Sequence, residues 1–200
     1  MIRARFGLGV AVGVALAVAA AGACAPRKGS PVARGPRLLK LEAFPGAVVE
    51  RACVPTGPEQ CFNARDDNCN GIIDEGCGVN TGLVQFAAAW TEPKADVDLR
   101  VVDPNGELVE AGRATQAGLV KDRDCPGKRN ECRGQNMENV YLEAGDPVRG
   151  KYQLRIRLED LGGETPPIRV TVGARVGPKT YALEVTLEQA GDERALTLEL

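Results

Sequence analysis

Asp66, Asn68 and Asn70 recur at every second position, Gly71 follows at once, and Asp74 and Glu75 come soon after. Alternating side-chain oxygens, a glycine for a sharp turn and a closing acid are the order in which a loop presents ligands to a hard cation such as calcium. With Asp66 at the first position, Asn68 and Asn70 take the third and fifth and Gly71 the sixth. The Ile72 carbonyl is then the seventh, Ile73 a buried eighth and Asp74 the ninth. Cys77 stands at the twelfth, where a helical calcium loop has a bidentate glutamate, and no amphipathic helix flanks the segment. The expected ligands are therefore Asp66, Asn68, Asn70, Ile72 through its carbonyl, Asp74 and Glu75, in a non-helical turn with Asp67 as a spare carboxylate.

A second group of acids lies further along. Alternation along a strand puts Asp96 and Asp98 on one face, opposite Val97 and Leu99. Asp122 and Asp124 repeat the every-second-residue spacing, in what reads as a loop, and Glu138 precedes Asn139 and an apolar pair. Asp96, Asp98, Asp122, Asp124 and Glu138 are candidates for a second metal site; the alternative is that they are solvated strand ends and turn caps. Paired carboxylates can also hydrolyse glycosides, but that chemistry needs stacking aromatics, and the chain has one Trp, three Tyr and four Phe. It has no histidine, and its only serine is Ser30. The usual general base and the partner of most serine nucleophiles are thereby missing, and the expectation is a protein that is not an enzyme.

Seven cysteines punctuate the chain. Setting Cys24 aside leaves Cys53, Cys61, Cys69, Cys77, Cys125 and Cys132, an even set of the kind a disulfide framework requires in an exported protein. Cys125 and Cys132 bracket a short loop and are expected to pair. The other four, eight residues apart, allow three pairings among which spacing does not choose.

The elements that must position these groups follow from composition. Residues 1–23 read as an export signal, with Arg3 and Arg5 ahead of an apolar run and the small residues Ala21, Gly22 and Ala23. Cleavage before Cys24 resembles bacterial lipoprotein processing, which would lipidate Cys24; an ordinary signal cut after Ala23 or Ala25 is the alternative. Loss of the signal leaves 23 of the 25 basic residues against 27 acids, a mild balance that offers no field for nucleic acid.

Residues 24–52, rich in proline, glycine and basic residues, read as a flexible or lipidated tether, with a first strand around Leu38 to Phe44 as the other reading. Residues 53–78 form a Cys-rich module too small for a core of its own, which covalent and metal staples would hold. Residues 79–200 alternate with period two, clearest in Tyr152, Leu154, Ile156 and Leu158 against Gln153, Arg155 and Arg157. Further strands are expected at Leu83 to Trp90, Val97 to Val102, Glu107 to Glu110, Glu138 to Glu143, Ile168 to Val176, Tyr181 to Leu187 and Leu196 to Leu200. About eight strands without a helical period indicate an all-β chain whose C-terminal part is an antiparallel β-sandwich.

Arg65 to Cys77 resembles the metal-binding motif named after the MopE protein, a short repeat of bacterial surface and secreted proteins. Phe62-Asn63-Ala64 departs from its usual start. The likeness carries a suggestion of copper, whereas hard oxygen ligands without histidine or methionine in the loop favour calcium. Residues 81 to 188 resemble the YfaP-like β-sandwich family through Asp96-Val97-Asp98-Leu99, Asp103-Pro104-Asn105-Gly106, Asp122-Arg123-Asp124, Glu138-Asn139-Val140 and Gly150-Lys151-Tyr152. Arg100 stands where that family often has histidine.

The expected function is an exported, membrane-tethered, calcium-binding structural or interaction protein. It would present its sandwich at the cell envelope, as an outer-membrane lipoprotein or else in a periplasmic or secreted form. Its metal-stapled module would be a neck holding the sandwich away from the membrane. The partner would be an envelope or extracellular protein or a glycan. Copper sequestration by the loop is one alternative; carbohydrate binding on an exposed aromatic platform near Trp90 or Tyr141 is another.

Overall fold

Alternation of apolar and polar residues commits each segment to one buried face, and the strands pair so that those faces meet. The computed structural model describes residues 35–126, 132 and 134–200, which fall in one compact unit. The expected signal, the lipidation residue Cys24 and residues 24 to 34 of the tether lie outside the described residues. Ten strands occur among those described: β1 Lys40–Ala43, β2 Val49–Glu50, β3 Val84–Trp90, β4 Asp96–Val102, β5 Leu119–Arg123, β6 Met137–Leu142, β7 Lys151–Asp160, β8 Ile168–Val176, β9 Lys179–Leu187 and β10 Glu193–Glu199. They form a four-stranded sheet, β1-β10-β7-β4, and a six-stranded sheet, β2-β9-β8-β3-β6-β5, with every pair antiparallel.

The core lies between the sheets. Tyr152, Leu154, Ile156 and Leu158 of β7 face Phe86 of β3 and the inward residues of β8, as the alternation requires. Phe86 and Tyr152 meet with ring centroids 5.8 Å apart at 53°, within the tilted range that aromatic quadrupoles favour.

Four expectations need correction. The tether reading fails from Lys40 onward, because β1 pairs β10 and β2 pairs β9, so this stretch supplies an edge strand to each sheet. Glu107 to Glu110 is not a strand; it makes the isolated bridge Val102–Leu108, with the Val109 N–H on the Val101 carbonyl, and a turn in which the Asp103 N–H donates to the Glu107 carbonyl. Lys121 to Arg123 is not loop but part of β5, whose apolar start at Leu119 and Val120 is too short to register as a period.

The fourth correction concerns the Cys-rich segment, which is a cover and not a neck. β3 is buried along its whole length, on both faces. Val84, Phe86, Ala88 and Trp90 enter the core, while Ala87 and Ala89 form a second apolar cluster with Met137, Ala64, Ile73 and Val79. The segment thus lies on the outer face of the six-stranded sheet and obtains there the core it cannot build alone. Gly173 of β8 permits this approach, since a Cβ there would stand 2.2 Å from the Ala64 carbonyl oxygen. Arg65 reaches Glu50 at 2.8 Å and Glu184 at 3.5 Å, and the Arg123 guanidinium lies 4.8 Å from the Phe62 ring centre.

Candidate metal centre

Two interleaved disulfides shape the turn. Cys53 pairs with Cys69 and Cys61 with Cys77, each across 16 residues, and Cys125 pairs with Cys132 as the bracket suggested. Closing a loop of that length restricts the unfolded chain by about 3 kcal/mol. Phe62, Ala64, Cys69 and Asp74 all have positive φ, a conformation that residues other than glycine adopt only where surroundings impose it. Gly71 also has positive φ, and a Cβ there would meet the Pro178 carbonyl oxygen at 2.8 Å.

The acids divide into two roles. Asp66 Oδ1 accepts the Asn70 N–H at 3.0 Å; its Oδ2 accepts the Gly71 N–H at 2.9 Å and the Thr180 hydroxyl at 2.9 Å. Asp74 is fully buried and turns the other way, accepting the N–H groups of Asn63 at 3.2 Å and Ala64 at 3.0 Å. Successive N–H groups of this kind form an anion nest. Burial pushes the Asp74 carboxyl up to about 6, against the opposing pull of those N–H groups. Asp67 accepts the Thr56 hydroxyl at 3.0 Å, the Gln60 N–H at 3.1 Å and the Asn63 carboxamide at 2.8 Å. Asp74 and Asp67 are internal braces of the turn.

Glu59 is a brace that the spacing argument missed. Its carboxylate accepts the Asp74 N–H at 2.8 Å and the Asp67 N–H at 3.1 Å, while burial pushes it up to about 7. Only its place two residues before Cys61 signals it.

The remaining side chains meet at Glu75. Asn68 donates its carboxamide to Glu75 Oε1 at 2.5 Å, and the Asn70 carboxamide meets the same oxygen. Asn68 Oδ1 and Asp66 Oδ1 accept the same N–H, that of Asn70, while the Ile72 N–H donates to Asn70 Oδ1 at 2.9 Å. Asp66, Asn68, Asn70 and Glu75 therefore gather around one turn, which Ile72 closes, and Glu75 Oε2 is buried without a hydrogen-bond partner. Two carboxylates and two carboxamides, with one carboxylate oxygen unpartnered, are ligands of the kind calcium takes, 6 to 8 oxygens at about 2.3 to 2.6 Å with water completing the shell, once the carboxamides turn their oxygens in place of their N–H groups. Asp66 and Asp74 both have their oxygens engaged by N–H groups, but Asp66 shares the Asn70 N–H with Asn68 whereas Asp74 is bonded to Asn63 and Ala64, so of the two only Asp66 joins the group around Glu75.

The second group is also divided. Carboxylate oxygens of Asp98, Asp124 and Glu138 lie within 4.8 Å of one another. Asp122 does not join them: it accepts the Asn139 carboxamide at 2.7 Å and the Asn80 N–H at 3.1 Å. Asp96 lies close by, its carboxyl pushed up to about 6 by burial and then by the charges of Asp98, Glu159 and Asp124.

Soft donors are scarce. The chain has no histidine, the six described cysteines are in disulfides, and Met137 is buried under the Cys-rich segment. This donor set does not favour copper. The aromatic platform is missing too, because Trp90 is 5% exposed and Tyr141 8%. Trp90 spends its indole N–H on the Ala95 carbonyl at 3.0 Å. Carbohydrate stacking on those two rings is thereby removed. No family model, curated protein or solved structure matches the chain.

Proposed function

We propose that this chain is an exported cell-envelope protein, tethered to a membrane through Cys24, that displays a β-sandwich stiffened by a calcium-binding turn on its outer face. The observation that carries this reading is the Glu75 carboxylate: one oxygen is approached by two carboxamides, and the other is buried without a partner. Export is supported by the signal-like start and by cysteines paired as secreted domains pair them. Calcium in this role is structural. It neutralises Asp66 and Glu75 at a turn already bolted to β8 and β9, leaving the sandwich to meet an envelope or extracellular partner.

Thermal unfolding of the wild-type chain and of Glu75→Gln, each with calcium and with chelator, tests the reading. Calcium is expected to raise the midpoint of the wild type and to raise that of Glu75→Gln by clearly less, because the ion at the turn is lost. Superimposable wild-type curves with calcium and chelator would remove it.

A further inference from the structure

Lys121 of β5 and Glu138 of β6 project between the sheets, on the faces that carry Leu119 and Val140 into the core. The Lys121 ammonium donates to Asp124 Oδ1 at 2.7 Å and to Glu138 Oε2 at 2.9 Å. Glu138 also reaches across to the opposite sheet, where its Oε2 accepts the Leu99 N–H of the edge strand β4. Its other oxygen, Oε1, is buried without a hydrogen-bond partner, in a residue only 1% exposed. A carboxylate oxygen so placed is costly to retain unless something charged or donating meets it.

Asp98 from β4 and Asp124 from the end of β5 bring their oxygens to this carboxylate, all within 4.8 Å. Two ligands on opposite sides of a calcium ion stand at most about 5 Å apart, so the three oxygens have the spacing of a shared cation. Among the described residues the Lys121 ammonium is shared between Asp124 and Glu138, and Arg100 is divided between Asp98 at 3.1 Å and Glu159 at 2.7 Å. Asp96 adds a further acid at the rim. Asp98 and Asp124 are partly open to solvent, which leaves room for an ion to enter and for water to complete its shell.

We propose that Asp98, Asp124 and Glu138 form a second divalent-cation site of calcium chemistry, at which the ion and the Lys121 ammonium compete for the same carboxylate oxygens. Occupation ties β4 of one sheet to β5 and β6 of the other along the open side of the sandwich. The site shares no residue with the turn around Glu75, which lies on the outer face of the six-stranded sheet.

Equilibrium dialysis of the full chain against calcium alone reads the number of ions bound. Glu75→Gln, which disables the turn, is expected to keep one ion, and adding Asp124→Asn is expected to lose it. Adding Lys121→Met instead is expected to tighten that ion at least about tenfold, because a positive charge has been taken from beside it. Circular dichroism checks that each variant keeps its β signal, and Asp98→Asn carries the same expectation should Asp124→Asn fail to fold. A Glu75→Gln chain that binds no ion, or an affinity that neither Asp124→Asn nor Lys121→Met moves, overturns the proposal. If Asp124→Asn lowers the wild-type count and Glu75→Gln does not, the turn reading fails and this one stands.

Discussion

The Thr180 hydroxyl donates to Asp66 Oδ2 at 2.9 Å, joining the Cys-rich turn to a strand 114 residues away. The bond makes the first expected ligand of the turn a part of the sandwich. Thr180→Val deletes the donor while keeping a β-branched side chain on β9. The expected loss is about 1 kcal/mol, read by urea unfolding in the presence of chelator. An unchanged midpoint would show that Asp66 is held by the turn alone.

Asp74 and Glu75 are neighbours with opposite expectations. Asp74→Asn weakens the nest at Asn63 and Ala64 and should lower stability by about 1 to 3 kcal/mol in calcium and in chelator alike. The calcium-induced rise in midpoint should survive it. Glu75→Gln should do the reverse, with little change in chelator and a clearly smaller rise with calcium than the wild type shows. Loss of the calcium effect in Asp74→Asn with native-like stability in chelator would return Asp74 to the ligand set.

Gly173 is the contact on which docking depends. A methyl group there would stand 2.2 Å from the Ala64 carbonyl oxygen, so Gly173→Ala must lift the turn from the sheet or bend β8. Limited proteolysis should then cut between Cys53 and Gly78 far faster than in the wild type, with the sandwich left intact. Equal cleavage rates would contradict the docked arrangement.

Tyr152 gives the fold an alkaline limit. Its hydroxyl donates to the Val148 carbonyl at 2.6 Å, and burial, then the charge of Asp103, push the phenol up to about 12. The unfolded chain releases this proton near pH 10 and the folded chain holds it to about 12. Its contribution is therefore complete below pH 10 and declines as the pH climbs from 10 to 12. Phenolate absorbance should show one tyrosine titrating near 12, and Tyr152→Phe should remove that step. Three tyrosines titrating together near 10 would contradict it.

Much of the sandwich was legible because alternation is a local property. Tyr152 to Leu158 and Ile168 to Val176 carry it over whole strands, and both appear where the period puts them. Lys40 to Ala43 and Val49 to Glu50 are strands because β10 and β9 offer them edges, which no window of sequence contains. At the turn, the oxygen spacing located Asp66, Asn68, Asn70 and Glu75 together. It did not show that Asp74 faces the Asn63 and Ala64 N–H groups, a direction set by a positive φ and by residues earlier in the chain. The pairing Cys53–Cys69 and Cys61–Cys77 was likewise invisible, because equal spacing of four cysteines leaves every pairing open. The buried run Val84 to Trp90 hinted at cover on both faces, but Ala64 and Ile73, which supply it, precede it in the loop.

The calcium turn is tested most directly by following the side-chain amide resonances of Asn68 and Asn70 while calcium is titrated into the chain. Both carboxamides meet Glu75 Oε1, so an ion entering there must disturb the two together. The account predicts that both signals shift and saturate at one common calcium concentration, and that Glu75→Gln abolishes the shift. Resonances that stay fixed while the protein is saturated with calcium would contradict it.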